Sequence, residues 1–356
     1  MRPDELDSAV EARALLYAPL VSRALCSVVE LGVPDLLASE PRTAAELAGL
    51  TGAHEPSLRQ VMTALTAFDV FAAHADDRFA LARIGSALVS DAPGSAAASA
   101  LMALEMTGRA WNGIPGTVRT GVPAFETEFG ADFFGHLDGR SDLRTVFDRT
   151  QAADLDLEIA AILGVYDFSG TRTLVDVGGG DGALLARLLD TYPQLHGVLV
   201  DRPNAVAAAG VRLKEAGFAA RADLRTGDFF QDVPEGGDVY LLREILHDWD
   251  DDRCVDLLRV CRRAMPEEGR LIVIELAADD TTGGGPQARM TALMSLYMLS
   301  VLPGRERTTR EFAALLSEAG LRLDATYRLT GQKVLIEASA DPEAGPSGSG
   351  AGRERD

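Results

Sequence analysis

The segment Leu174-Val-Asp176-Val-Gly178-Gly179-Gly180-Asp181-Gly182 constrains this chain more than any other. An apolar run ends in a glycine-rich turn and is followed by the helical run ALLARLLDTY. Glycine tolerates positive φ and lets a ligand approach the backbone closely. The pattern therefore predicts a strand, a tight turn and a helix at the start of an open α/β sheet. Ligands of such sheets bind beyond the carboxyl ends of the strands. Asp201 ends the next apolar run, about twenty residues on, where a carboxylate takes the hydroxyls of an adenosine ribose. Gly178-x-Gly180-x-x-Ala183 also meets the dinucleotide fingerprint, which leaves an NAD-dependent oxidoreductase open. Two features favour S-adenosylmethionine. Asp176 sits inside the strand, two residues before the first glycine, where dinucleotide strands usually carry an apolar residue. Asp228, in Thr226-Gly-Asp-Phe-Phe230, follows the third strand, placed to accept from an adenine amino group while Phe229 packs on the ring.

From Thr173 onward strand and helix patterns alternate, which means a parallel sheet covered on both faces. Candidate strands are Thr173–Val177, Val198–Asp201, Ala222–Thr226, Asp238–Leu242 and Leu271–Glu275, with Arg322–Tyr327 and Lys333–Ala338 as an antiparallel edge. The fold class expected is a Rossmann-like α/β sheet, mostly parallel. Upstream the chain reads as helices with one small β element. Thr43-Ala-Ala-Glu46 fits a capping box. Leu58, Val61, Met62 and Leu65 form an amphipathic stripe, and Val70-Phe71 and Phe79-Ala80-Leu81 flank a turn as a hairpin. Helix, helix and hairpin in that order resemble a winged helix. The expected domains are 1–165, 166–340 and a disordered tail, 341–356, rich in Gly, Ser, Pro and charge.

Composition narrows the partners. The chain has 356 residues, 47% of them apolar, and a formal net charge of −20. So acidic a surface repels phosphate backbones and anionic membranes. The candidate recognition helix EPSLRQVMTALTAF carries only Arg59 as a base, which weighs against a DNA-binding regulator. No unbroken apolar run of membrane-spanning length is present, and the charged start MRPDELDSAVEAR is no signal peptide. Cys26, Cys254 and Cys261 lack metal or disulfide spacing, so they read as core residues in a reducing cytoplasm. The run Asp248, Asp250, Asp251 and Asp252 is explained by helix capping and dipole effects, so no metal is expected.

The segments LVDVGGGDGALL, VLVDRP, RTGDFF, LLREILHDWDDDRC, IELAAD and PGRERTTREF together resemble one known family. It is the class I O-methyltransferases of the plant caffeate type and their bacterial secondary-metabolism relatives. VVELGVPDLLASEPRTAAELAGLTGA resembles the family's dimerisation domain. The resemblance implies a helical, winged-helix N-terminal domain that forms a homodimer, and S-adenosylmethionine as cofactor. It assigns cofactor binding to Gly178, Asp201, Asp228, Phe229 and Arg243 and places Trp249 beside the cofactor. Asp176, Gly180, Arg202 and Gly227 complete that set. His247 becomes the catalytic base, with Glu275 and Glu306 as its orienting carboxylates. Trp111, Phe147, Gln151, Met294, Met298 and Asp248 are expected to bind the acceptor, and Phe133, Phe134 and Met290 lie in cleft-lining segments.

The chemistry needs such residues. Methyl transfer from a sulfonium is an in-line displacement, so the protein must supply an aligned, deprotonated oxygen. A phenol ionises near pH 10, so little is deprotonated at neutrality. An imidazole is the natural base, contributing about 10²–10⁴-fold. His247 follows the strand Asp238–Leu242 and Glu275 ends the strand Leu271–Glu275. In the family's sheet order these strands are neighbours. The chain departs from the family in three places. Ser295-Leu-Tyr-Met-Leu replaces an Asp-Leu-Leu-Met-Leu pattern, Pro303 replaces the first glycine of a GGRERT segment, and Gln151 stands where plant members have a pocket methionine. These changes point away from plant phenylpropanoids toward a bulkier bacterial polyketide or polycyclic phenol. A relative that holds the cofactor yet decarboxylates or hydroxylates its substrate is the alternative.

Overall fold

The computed structural model describes residues 3–153, 155–279 and 285–342. Most of the segment expected to be a disordered tail lies outside them. The described residues divide into two compact units, one drawn from Met1–Asn112 and Gly135–Asp154, the other from Gly113–Phe134 and Leu155–Asp356. The division thus falls at several points, whereas the sequence suggested one boundary near residue 165. The helix Leu155–Val165 belongs to the second unit, where it packs on the sheet.

The first unit opens with the helix Pro3–Glu30. Its portion Asp7–Glu30 is long and apolar enough to cross a membrane by length and composition, with a mean hydropathy of 1.3. The sequence expectation of no such segment required an unbroken apolar run, which Arg13 and Arg23 interrupt. On this helix Leu15 and Leu16 are each 77% exposed, Tyr17 65% and Leu20 67%, whereas Cys26 and Val28 are buried. The Thr43–Glu46 capping box is formed in full and opens the helix Ala44–Thr51. The helix Glu55–Thr66 buries Leu58, Met62 and Leu65. Strands β1 (Arg42–Thr43), β2 (Phe71–Ala73) and β3 (Arg78–Leu81) form an antiparallel sheet in the order β1-β3-β2. Asp77 takes the left-handed conformation in the hairpin turn, which short polar side chains tolerate. This is the expected winged-helix arrangement.

The second unit is built on β4 (Thr173–Val177), β5 (His196–Asp201), β6 (Ala222–Thr226), β7 (Val239–Arg243), β8 (Arg270–Leu276), β9 (Leu321–Arg328) and β10 (Lys333–Ala340). Their order is β6-β5-β4-β7-β8-β10-β9. Strands β4 to β8 pair in parallel, and β10 runs antiparallel to both β8 and β9. Each expected strand is present, two with the expected ends and the others with one or both ends displaced by one or two residues.

Side chains alternate across the pleat. Val175, Val177, Tyr240, Leu242 and Val273 pack on one face with Cys254, Leu258 and Cys261 of the helix Asp251–Ala264 and Phe312 of the helix Thr309–Glu318. Leu174, Leu199, Leu241, Ile272 and Ile274 pack on the other with Ile159, Leu185, Leu188 and Leu213. Burial on both faces explains why the parallel strands read as nearly continuous apolar runs. Strand order reverses at β4, between β5 and β7, so the crevice expected of an open α/β sheet lies at their carboxyl ends.

Candidate active site

The turn after β4 depends on positive φ at Gly178 (76°), Gly180 (58°) and Gly182 (74°). A Cβ at Gly178 would lie 2.4 Å from Cδ1 of Ile245, and Phe229 stands on the same side. A Cβ at Gly179 would lie 2.5 Å from Oδ2 of Asp176, which sits under the turn. At Gly180 a Cβ would meet nothing within 4 Å, so the loop is open there. Asp201, at the end of β5, accepts from the Gly180 amide at 2.8 Å and the Arg202 amide at 2.6 Å. Gly227 donates its amide to the Asp201 carbonyl at 3.1 Å. Asp176 is buried, and its Oδ2 has no hydrogen-bond partner among the described residues. Burial and the neighbouring Asp201 push its carboxyl up to about 7.

Phe229, Phe230 and Trp249 form an aromatic cluster, with Phe230 and Trp249 edge to face at 4.7 Å. The Arg253 guanidinium lies 3.5 Å over the Phe230 ring. Trp249 Nε1 is buried without a hydrogen-bond partner among the described residues. These features fit S-adenosylmethionine: an open glycine cradle, an orphaned carboxylate oxygen beneath it, Asp201 alongside, and an aromatic wall with an unused indole donor. Asp228 is exposed and accepts from the Phe230 amide and the Gln231 side chain, the bonding of a turn residue.

Arg243, expected at the cofactor, lies near enough to Asp176 to pull against the rise of its carboxyl. It makes a two-pronged pair with Glu158 at 3.1 and 2.7 Å. Glu158 also takes Lys333 at 2.8 Å, and Lys333 reaches Glu244 at 2.6 Å. Glu244 itself holds a left-handed φ of 53°. Despite burial, Arg243 and Lys333 pull its carboxyl down to about 2. Sequence reasoning missed Glu158, Glu244 and Lys333. Glu158 shares the apolar helix LDLEIAAILGV with Asp156, so it did not stand out in the sequence, yet it is buried.

His247 occupies the single-turn 3₁₀ helix Leu246–Asp248, between β7 and the helix Asp251–Ala264. Its Nδ1 lies 3.3 Å from Oε1 of Glu306 and 3.7 Å from Oε2 of Glu275. Asp248 Oδ1 is 3.5 Å from Nε2. Glu275 is fully buried and accepts the amides of Ile245 and Leu246 at 3.0 and 2.7 Å through Oε1. The second oxygens of Glu275 and Glu306 are buried without hydrogen bonds among the described residues. Burial pushes the carboxyls of Glu275 and Asp248 up to about 7 each, against the pull of His247. For His247 burial favours the neutral ring, but Glu275, Asp248 and Glu306 outweigh it and hold the imidazole well above its ordinary range.

The expected acceptor-binding residues fall in both units. Trp111, Phe147 and Gln151 are half-buried in the first, on the turn Trp111–Gly113 and the helix Ser141–Ala152. Met294 and Met298 lie in the second, on the helix Pro286–Val301, with Met298 buried and Met290 55% exposed. Tyr297, on the same helix, has its phenol raised by burial and by Asp248. Phe133 is buried against Phe125 and Phe134.

Comparison with known proteins agrees with this arrangement. Residues 111–322 match the O-methyltransferase domain family and residues 14–91 the O-methyltransferase dimerisation domain. The O-methyltransferase SfmM3 of Streptomyces lavendulae is 41% identical over 329 residues, covering 92% of this chain and 98% of that protein. The structure of the mitomycin 7-O-methyltransferase MmcR is 35% identical with a TM-score of 0.87, over 95% of this chain and 99% of that one. The O-methyltransferase NcsB1, solved with S-adenosylmethionine and 2-hydroxy-5-methyl naphthoic acid, is 31% identical with a TM-score of 0.80, over 91% and 96%. Aclacinomycin 10-hydroxylase RdmB of Streptomyces purpurascens is 32% identical over 335 residues, covering 93% of this chain and 88% of that protein. Glycine cradle, carboxylate-flanked histidine and family match converge: this chain belongs to the class I O-methyltransferases, and S-adenosylmethionine is its cofactor.

Proposed function

We propose that the enzyme methylates a phenolic hydroxyl of a small aromatic secondary metabolite, such as a bacterial polyketide, with His247 as general base. The observation that carries this reading is the placement of His247 Nδ1 within 3.3 and 3.7 Å of two buried carboxylates, each with an unused oxygen. The acceptors named for relatives of this chain support the substrate class: a phenazine, mitomycin and a hydroxynaphthoate.

S-adenosylmethionine supplies an already activated methyl group. The protein's part is to orient the acceptor and remove its proton. Neutral His247 takes the hydroxyl proton, and Glu275 and Glu306 stabilise the imidazolium that forms. Because the neutral ring is the base and its carboxylates hold it above its ordinary range, turnover should rise with pH as the imidazolium loses its proton. Asp201 holds the glycine turn through the Gly180 amide, Asp176 lies beneath it, and Phe229 and Trp249 wall it. His247→Ala should retain affinity for S-adenosylhomocysteine by calorimetry and lose about 10²–10⁴-fold in turnover on a panel of phenols. Unimpaired turnover would remove His247 from the mechanism.

The hydroxylase relative favours a second reading, in which the cofactor is held while the substrate is decarboxylated or hydroxylated. Mass analysis of the product separates the two, since methylation adds one CH₂. We also infer that two copies pair through residues 14–91, burying the exposed Leu15, Leu16, Tyr17 and Leu20.

A further inference from the structure

We infer that Arg307 is a positioning residue for proton abstraction, clamping the turn that presents His247; this deepens the general-base reading and rests on it. Arg307 is 0% exposed, the largest side chain buried so completely among the described residues. Its Nη1 donates to the Leu246 carbonyl at 2.7 Å and its Nη2 to the Trp249 carbonyl at 2.7 Å. Its Nε donates to Asp251 Oδ1 at 2.8 Å. The two carbonyls bracket His247 and Asp248. Only a planar guanidinium satisfies three acceptors spread this way; an ammonium on a flexible stem does not.

Arg307 completes a grip begun by Glu275. Glu275 takes the amides at the start of the turn, and Arg307 takes the carbonyls at its two ends. The backbone of Arg307 is itself tied to the extension of β8: the Ala278 amide donates to the Arg307 carbonyl at 2.9 Å, and Ala277 bridges Arg307 in parallel. The residue before it, Glu306, faces His247. One extended segment thus delivers the carboxylate that orients the imidazole and the cation that fixes its backbone. Gly304 lies so close under the turn that a Cβ there would stand 1.9 Å from the His247 carbonyl. The turn has no slack on that side.

The alignment of the imidazole with Glu275 and Glu306 therefore depends on Arg307. The charged or titratable groups facing His247 are Glu244 and Asp248 on its own segment, Glu275 on β8 and Glu306 beside the clamp. Tyr297 faces Asp248 from the helix Pro286–Val301. When the clamp is lost, His247 moves from its carboxylates and titrates at lower pH.

The test is a ring-resonance titration of the full chain, ¹⁵N-labelled at histidine and saturated with S-adenosylhomocysteine. The His247 signal is identified by its loss in His247→Ala. Arg307→Met should titrate below wild type, with turnover reduced roughly 10- to 100-fold, the scale of an ångström's misplacement. Arg307→Lys, which keeps the charge and part of the hydrogen bonding, should fall between them and serves where Arg307→Met does not fold. A merely structural arginine would change yield or melting and leave the titration in place. An unmoved His247 titration in folded Arg307→Lys, with wild-type turnover, overturns the clamp. If His247→Ala turns over normally, the base reading fails instead.

Discussion

Asp176 is a carboxyl group held where water does not reach it, and its cost is paid in pH dependence. An exposed carboxylate titrates near 3.9, whereas burial and Asp201 raise this one to about 7. The folded state then binds the proton more tightly than the unfolded chain. Its stabilising contribution is full below about pH 4 and is lost as pH rises to about 7. Asp248 and Glu275 shift in the same direction, and so does His247. The ligand-free enzyme should therefore be less stable at pH 8 than at pH 6. Asp176→Asn should recover roughly 1–4 kcal/mol at pH 8 while weakening S-adenosylhomocysteine binding. Urea unfolding at the two pH values, with calorimetry, checks this; an unchanged pH slope in the variant contradicts it. The oddity of Asp176 was visible in the sequence because a charge interrupts an apolar strand. Glu158 was not, because an acid two places after Asp156 on a helix reads equally well as solvated.

At the scale of elements, the glycine turn is the joint between sheet and cofactor. Gly178 combines a φ of 76° with a Cβ position 2.4 Å from Ile245. Gly178→Ala should therefore strain the backbone by about 1–3 kcal/mol and push on the residue two places before His247. We expect at least tenfold weaker S-adenosylhomocysteine binding by calorimetry, with the far-UV spectrum retained; wild-type affinity would show that the turn has room to adjust. Local signals made most elements legible. The capping box at Thr43, the hairpin around Asp77 and the short apolar runs of β4 and β7 are set by neighbours a few residues apart. The helix Asp251–Ala264 likewise starts where Asp250 caps the Arg253 amide at 2.8 Å.

Over the whole molecule, the two most exposed large apolar side chains among the described residues, Leu15 and Leu16, lie on the helix Pro3–Glu30, within the segment that matches the dimerisation domain. Burying Leu16 and Leu20 against a second copy contributes about 1.5–3 kcal/mol per side chain. The double variant Leu16→Asp and Leu20→Asp should run as a monomer by light scattering and keep its affinity for S-adenosylhomocysteine. A wild-type chain that is itself monomeric, or that floats with lipid vesicles, would assign that surface differently.

The sequence alone determined the alternation of strands and helices, the glycine turn and the residue types able to do methyl-transfer chemistry. Those features follow from side-chain period and backbone sterics, which act over a few residues. Tertiary structure alone decided the partners: Arg243 with Glu158 across 85 positions, Lys333 with Glu158 across 175, and Arg307 with the Leu246 carbonyl across 61. A hydrogen bond requires its groups within a few tenths of an ångström of about 2.9 Å. No periodicity in the chain sets that distance; it is fixed only once the sheet has been assembled and its helices packed.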